Sequence, residues 1–139
     1  MIQREKKAWS TFADYIDTSI LKKERIESNR EAFSDVILQN RRGAVILIEN
    51  KALKEWPKRS STYPLKDSFE PGQLPFLRSW RQWQGNAYVF LHVGEGSYIE
   101  RLLLCPLDPL EFMTKDQLLE QALCLGRDAI LTFLETHTK

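Results

Sequence analysis

The chemistry in this chain begins at the end of one apolar run. Ala44 to Ile48 is unbroken hydrophobic sequence, and Glu49, Asn50 and Lys51 follow it with no turn residue between. A carboxylate and an ammonium at the end of a core strand cost free energy unless they are paired or hold something. Asp35 lies upstream in a second apolar segment. Two carboxylates held together repel, and a hard divalent cation removes that repulsion. Mg²⁺ takes oxygen ligands, usually one or two carboxylates with waters and a substrate phosphate. A lysine beside such a centre holds or deprotonates a water and shields phosphate charge. The plainer alternative is a strand-end salt bridge between Asp35 and Lys51.

For Asp35 to meet Glu49, the two segments must form a hairpin. "FSDVILQ" and "AVILIEN" are separated only by "NRRG". A three-residue loop commonly sets a type I turn before a left-handed residue, and Arg41-Arg42-Gly43 suits it. Asn40 then faces Ala44, and the same register continued sets Asp35 opposite Glu49. Directly opposed residues lie roughly 4.5–5.5 Å apart at Cβ. Residues i and i+2 share a face, so Lys51 joins the pair. A slip of one residue would send Asp35 to the other face.

The remaining elements must build a sheet around that hairpin. Trp9, Phe12, Ala13 and Ile16 recur at helical spacing, predicting a helix over 4–17. A short strand is expected around Arg25–Glu27. Neither hairpin strand alternates apolar with polar, so both are expected to be covered on both faces. Leu74, Leu77, Trp80 and Arg81 predict a helix that stops at Gly85, with Pro71 and Pro75 near its start. "NAYVFLHV" and "SYIERLLLCPL" read as further strands joined by a turn at "GEGS". Thr114 and Gln117 form a capping box ahead of one C-terminal helix carrying Leu118, Leu119, Ala122, Ala129, Ile130 and Phe133. The result is a single α/β domain over 1–139, a mixed central sheet flanked by helices.

Composition sets limits. A hydrophobic share of 42% and a charged share of 28% fit a globular protein with a substantial core. No apolar run reaches the ~18 residues of a membrane span. The charged start, "MIQREKKAWS", lacks a secretion signal, and the expected location is cytoplasmic. Cys105 and Cys124 have no metal-ligand spacing and read as buried thiols of a reducing compartment. With His92 and His137 the only histidines, a structural zinc site is not expected. The net charge of +1 does not announce a nucleic-acid binder, but Lys51, Lys54, Lys58, Arg59 and Lys66 are opposed by Glu55 alone over their span. A basic loop on a neutral domain suits phosphate contact at one face; a solvated loop is the alternative.

The spacing of Asp35, Glu49 and Lys51 resembles the PD-(D/E)xK nuclease superfamily, with an aspartate on one hairpin strand and Glu-x-Lys on the next. From Phe33 to Val93 the chain is similar to RecU-type Holliday junction resolvases. The shared features are a basic loop at Lys54–Arg59, the Thr62-Tyr63-Pro64-Leu65 segment, a helix opening on Gln73, and Gly85 leading into Ala87–Val93. VRR-NUC-type phage nucleases share a looser version, with Arg25 and Glu27 ahead of the aspartate. Ser34 stands where the superfamily has proline, and Gly72 where the RecU family has histidine. Only Ile20–Ala32 fills the place of the long RecU stalk, so the resemblance implies phosphodiester cleavage more strongly than junction specificity.

The resemblance implies a restriction-endonuclease-like fold and a Mg²⁺-dependent DNA endonuclease, with Mn²⁺ as a substitute, acting on branched DNA as a homodimer. It assigns Asp35, Glu49 and the Asn50 carbonyl to the metal and Lys51 to the attacking water. Gln73 goes to the metal shell or a phosphate, and Lys54, Lys58, Arg59 and Lys66 to DNA phosphates. Glu27 is an additional candidate acid, against a solvated charge. Trp80 and Trp83 read first as helix packing, then as a surface for a base or partner subunit. His92 reads as structural. Two alternatives stand beside this: a phage-type nuclease of nicked, flapped or single-stranded DNA, and a non-catalytic DNA-binding module on the same fold.

Overall fold

The hairpin register follows the loop. In the computed structural model, which describes residues 3–25, 35–95 and 99–138, Val36 pairs with Ile48 and Gln39 with Val45. Gly43 takes φ 84°, the left-handed conformation the turn needs. The elements are α1 (Gln3–Ala13), β1 (Leu21–Arg25), β2 (Val36–Asn40), β3 (Val45–Leu53), α2 (Gln73–Gln82), β4 (Asn86–Val93), β5 (Leu102–Cys105), α3 (Lys115–Gln121), β6 (Cys124–Leu125) and α4 (Arg127–Thr136). One mixed α/β sheet carries the six strands in chain order, with β3 and β4 parallel and every other pair antiparallel. A parallel pair needs a long crossover, and the basic loop with α2 supplies it.

The core has two halves, one on each side of the sheet. On one side Trp9 and Phe12 of α1 and Ile130 and Leu134 of α4 cover Leu38, Ile46, Ile48 and Phe90. On the other, Leu77 of α2 and Leu118 of α3 cover Leu47, Val89 and Leu91. Leu38, Ile46, Leu77 and Leu91 are fully buried. Each such side chain contributes about 1.5–3 kcal/mol relative to exposure. β3 is covered on both faces as expected, and β4 is too, whereas β2 departs from that expectation because Gln39 is open to solvent.

Several boundaries differ from expectation. The first helix ends at Ala13, although Ile16 still packs into the core. The first strand is Leu21–Arg25, earlier than expected, and Glu27 lies outside the described residues. Among the described residues of "SYIERLLLCPL", strand pairing begins at Leu102, after a 3-10 turn at Ile99–Arg101. The capping box forms at Thr114 and Gln117, but the C-terminal helix is two helices. Between them Cys124 and Leu125 add a strand to β5, and Gly126 at φ 87°, ψ 157° cannot be helical. The apolar spacing runs on through this break, so periodicity alone conceals it. Cys105 and Cys124 are free and pack on opposite sides of the sheet, Cys105 fully buried and Cys124 half-buried. Burial pushes the Cys105 thiol up to about 12, as befits a packing residue. Among the described residues no helix is long and apolar enough to cross a membrane.

Candidate metal centre

One step beyond the last β2–β3 pair, the register brings Asp35 opposite Glu49. Asn40 and Ala44 share a hydrogen bond at the turn, Asn40 N to Ala44 O at 3.2 Å. Hydrogen-bonded and closer non-bonded pairs alternate along such a ladder, which makes 35 and 49 a close pair. Asp35 is 7% exposed and Glu49 1%, so both carboxyls have lost most of their water. Asp35 Oδ2 accepts the Asn50 backbone N–H at 3.0 Å. In a strand, one residue's N–H and C=O point to the same neighbour. The Asn50 carbonyl is therefore directed to the Asp35 side of β3.

Lys51 and Gln73 complete the cluster from the α2 side. Lys51 is 6% and Gln73 7% exposed. Lys51 Nζ lies 3.7 Å from Glu49 Oε2 and donates to Gln73 Oε1 at 3.3 Å. Gln73 Nε2 donates to Glu49 Oε2 at 3.2 Å, so one amide ties the acid to the lysine. Gln73 is the first residue of α2, where Gly72 at φ 89° turns the chain into the helix. Gln73 Oε1 also accepts the Glu70 N–H at 2.9 Å, which fixes its rotamer. Pro75 costs no hydrogen bond there, because first-turn N–H groups have no helical partner. The Phe69 ring lies 5.0 Å from Lys51 Nζ and walls the site.

Burial, followed by the facing Asp35 charge and a hydrogen bond between the two acids, raises the Glu49 carboxyl from 4.5 to about 9; Lys51 only partly offsets this. Without a metal, the facing pair thus favours sharing a proton over carrying two charges. Glu49 Oε1 is buried and receives no N–H from any described residue. That buried oxygen, a facing carboxylate and a carbonyl suit a small hard cation, which uses one or two carboxylates and takes its other oxygens from water and phosphate. Among the described residues no three His, Cys, Asp or Glu side chains cluster as metal ligands.

One residue escaped the sequence reading. Glu5, on α1, is buried, and its negative charge contributes to raising Glu49. The signal was present: Glu5, Ala8, Trp9 and Phe12 form one buried helical stripe, and an acid there is out of place.

The other candidates divide. Lys54, Lys58, Arg59 and Lys66 are all exposed along the β3–α2 crossover. That loop is anchored by fully buried Leu65 and by Trp56 Nε1, which donates to Glu100 O at 3.1 Å. His92 is on the α1 side of the sheet, away from the Glu49 face. Trp80 packs beside Phe76 and fills the space a Gly85 side chain would need, while Trp83 is 84% exposed.

The fold is similar to that of Hjc, a Holliday junction resolvase from the archaeal hyperthermophile Archaeoglobus fulgidus. The TM-score is 0.50 at 17% sequence identity, over 76% of this chain and 74% of that one. At this identity the likeness is one of fold. No protein-family model matches the chain, and no curated protein matches it.

Proposed function

We propose that this chain is a single PD-(D/E)xK-type domain that hydrolyses DNA phosphodiester bonds with a divalent metal, preferring branched DNA. The observation that carries the reading is the buried, opposed pair Asp35 and Glu49, with Lys51 and Gln73 closing over it. The Hjc-like fold supports it.

Asp35, Glu49 and the Asn50 carbonyl would hold Mg²⁺, or Mn²⁺ in its place. When bound, such a cation polarises the phosphodiester and lowers the pKa of water. The chain's own groups supply the rest. The facing acids give up their shared proton so that both can act as ligands. Gln73 is a positioning residue: it fixes Glu49 Oε2 with one amide hydrogen and receives Lys51 on its oxygen. The Lys51 ammonium orients the attacking water and opposes the charge growing on the phosphate. Lys58, Arg59 and Lys66 grip neighbouring phosphates without reading sequence. Cutting two strands symmetrically needs two such sites, which a twofold dimer provides.

The test is a panel of labelled four-way junctions, flaps, nicked duplex, plain duplex and single strands, incubated with Mg²⁺. Junction cleavage that stops with EDTA and with Glu49→Gln is the expected result. Cutting confined to flaps or single strands would make the chain an end-processing nuclease. No cutting of any substrate by the folded protein would leave a DNA-binding module.

A further inference from the structure

A second concentration of charge lies on the other side of the sheet. A cavity of about 820 Å³ opens between α1, the carboxyl ends of β3 and β4, and α4. Arg4, Lys7, Lys54, Arg101 and Arg127 line it, against two acids, Glu55 and Glu95. These cations come from separate parts of the chain, so the fold gathers them. Among the described residues, Arg4, Lys7, Lys54 and Arg101 form no ion pair. A concave wall lined by one sign of charge focuses potential and concentrates anions.

The cavity also has an aromatic side. Tyr15 lines it, is 53% exposed, and carries the Arg127 guanidinium 3.9 Å from its ring centroid. Phe12 and Leu102 add apolar lining. Cations for phosphates beside an exposed aromatic ring are the elements of single-strand recognition. Lys54 is three residues past Lys51, about 10 Å along the strand, which sets it where the carboxyl end of β3 joins the two sides of the sheet.

We propose that this cavity binds an unpaired stretch of the DNA strand that enters the candidate metal centre, with Lys7, Lys54 and Arg4 on phosphates and a base stacked on Tyr15. This rests on the nuclease reading for its substrate. It makes the preferred substrate one with melted or single-stranded nucleotides beside the cleavage point.

Binding can be measured apart from cleavage, in EDTA, by fluorescence anisotropy of a labelled oligothymidylate and a duplex of equal length. Tyr15→Ala is expected to weaken oligothymidylate binding ~5- to ~150-fold while Tyr15→Phe retains it. Lys7→Ala with Lys54→Ala should lower the single-strand salt slope by about 1.4. Melting curves confirm that each variant is folded. Unchanged affinity in Tyr15→Ala, equal losses on duplex and single strand, or an unchanged slope would overturn the proposal. Failure of wild type to bind oligothymidylate would overturn it even if duplex is cut. Binding as expected without cleavage of any substrate would instead overturn the nuclease reading alone.

Discussion

The acidic pair on β2 and β3 and the basic cavity beside α1 deal with like charge in opposite ways. Asp35 and Glu49 are pressed together out of water, and one of them holds a proton as a result. Arg4, Lys7 and Lys54 stay exposed to water at the cavity rim. A buried like pair stores unfavourable energy that a ligand releases, so its function depends on ångström-scale geometry. An exposed cluster costs little to fold and yields affinity in small increments. Damage to the first should therefore be abrupt, and damage to the second gradual.

The sharpest break is chemical. Glu49→Gln or Asp35→Asn should lower Mg²⁺-dependent cleavage by about 10³-fold or more with the fold intact, measured by single-turnover kinetics and circular dichroism. Wild-type rates in either variant would remove the distinction between the two regions. Gln73→Ala should cost about 10–100-fold in rate or metal affinity, with DNA affinity in EDTA unchanged. A loss in DNA affinity alone would move Gln73 from the acidic site to phosphate contact.

Stability should show the same contrast. The folded Glu49 carboxyl titrates well above its unfolded value of 4.5, at about 9. Between these values the unfolded chain binds fewer protons than the folded one, so metal-free stability falls as pH rises through that window. Glu49→Gln should flatten this fall and raise the thermal midpoint by several degrees near about pH 8. A pH profile identical to wild type would show that the acids do not share a proton. The smallest effect belongs to the loop: Lys58→Ala with Arg59→Ala should reduce the duplex salt slope by about 1.8, leaving the rate at saturating DNA unchanged. An unchanged slope would remove these side chains from phosphate contact.

Much of the acidic site was legible because local chemistry fixed it. A three-residue loop ending in Gly43 leaves one register for the hairpin, and that register decides the faces of Asp35, Glu49 and Lys51. Gln73 was named only through the family resemblance, as the residue that opens the helix, and α2 does begin there. Glu5 was not singled out, since an acid in a first helical turn also suits the helix dipole. The basic cavity was invisible apart from Lys54, its cations being far apart in the chain. The C-terminal break was missed because Cys124 and Leu125 keep helical spacing, and only their pairing with β5 makes them a strand.

The parallel pairing of β3 and β4 obliges the chain to travel back across the sheet before β4 can begin. That return path is pinned at Trp56, Leu65 and Gln73, and between the first two it runs through exposed residues from Lys58 to Tyr63. The exposed tip can thus change length and composition without moving the acids or the amide that steadies them. If the chain is the nuclease proposed above, preference for one DNA shape over another can be rewritten there while the cutting chemistry stays untouched.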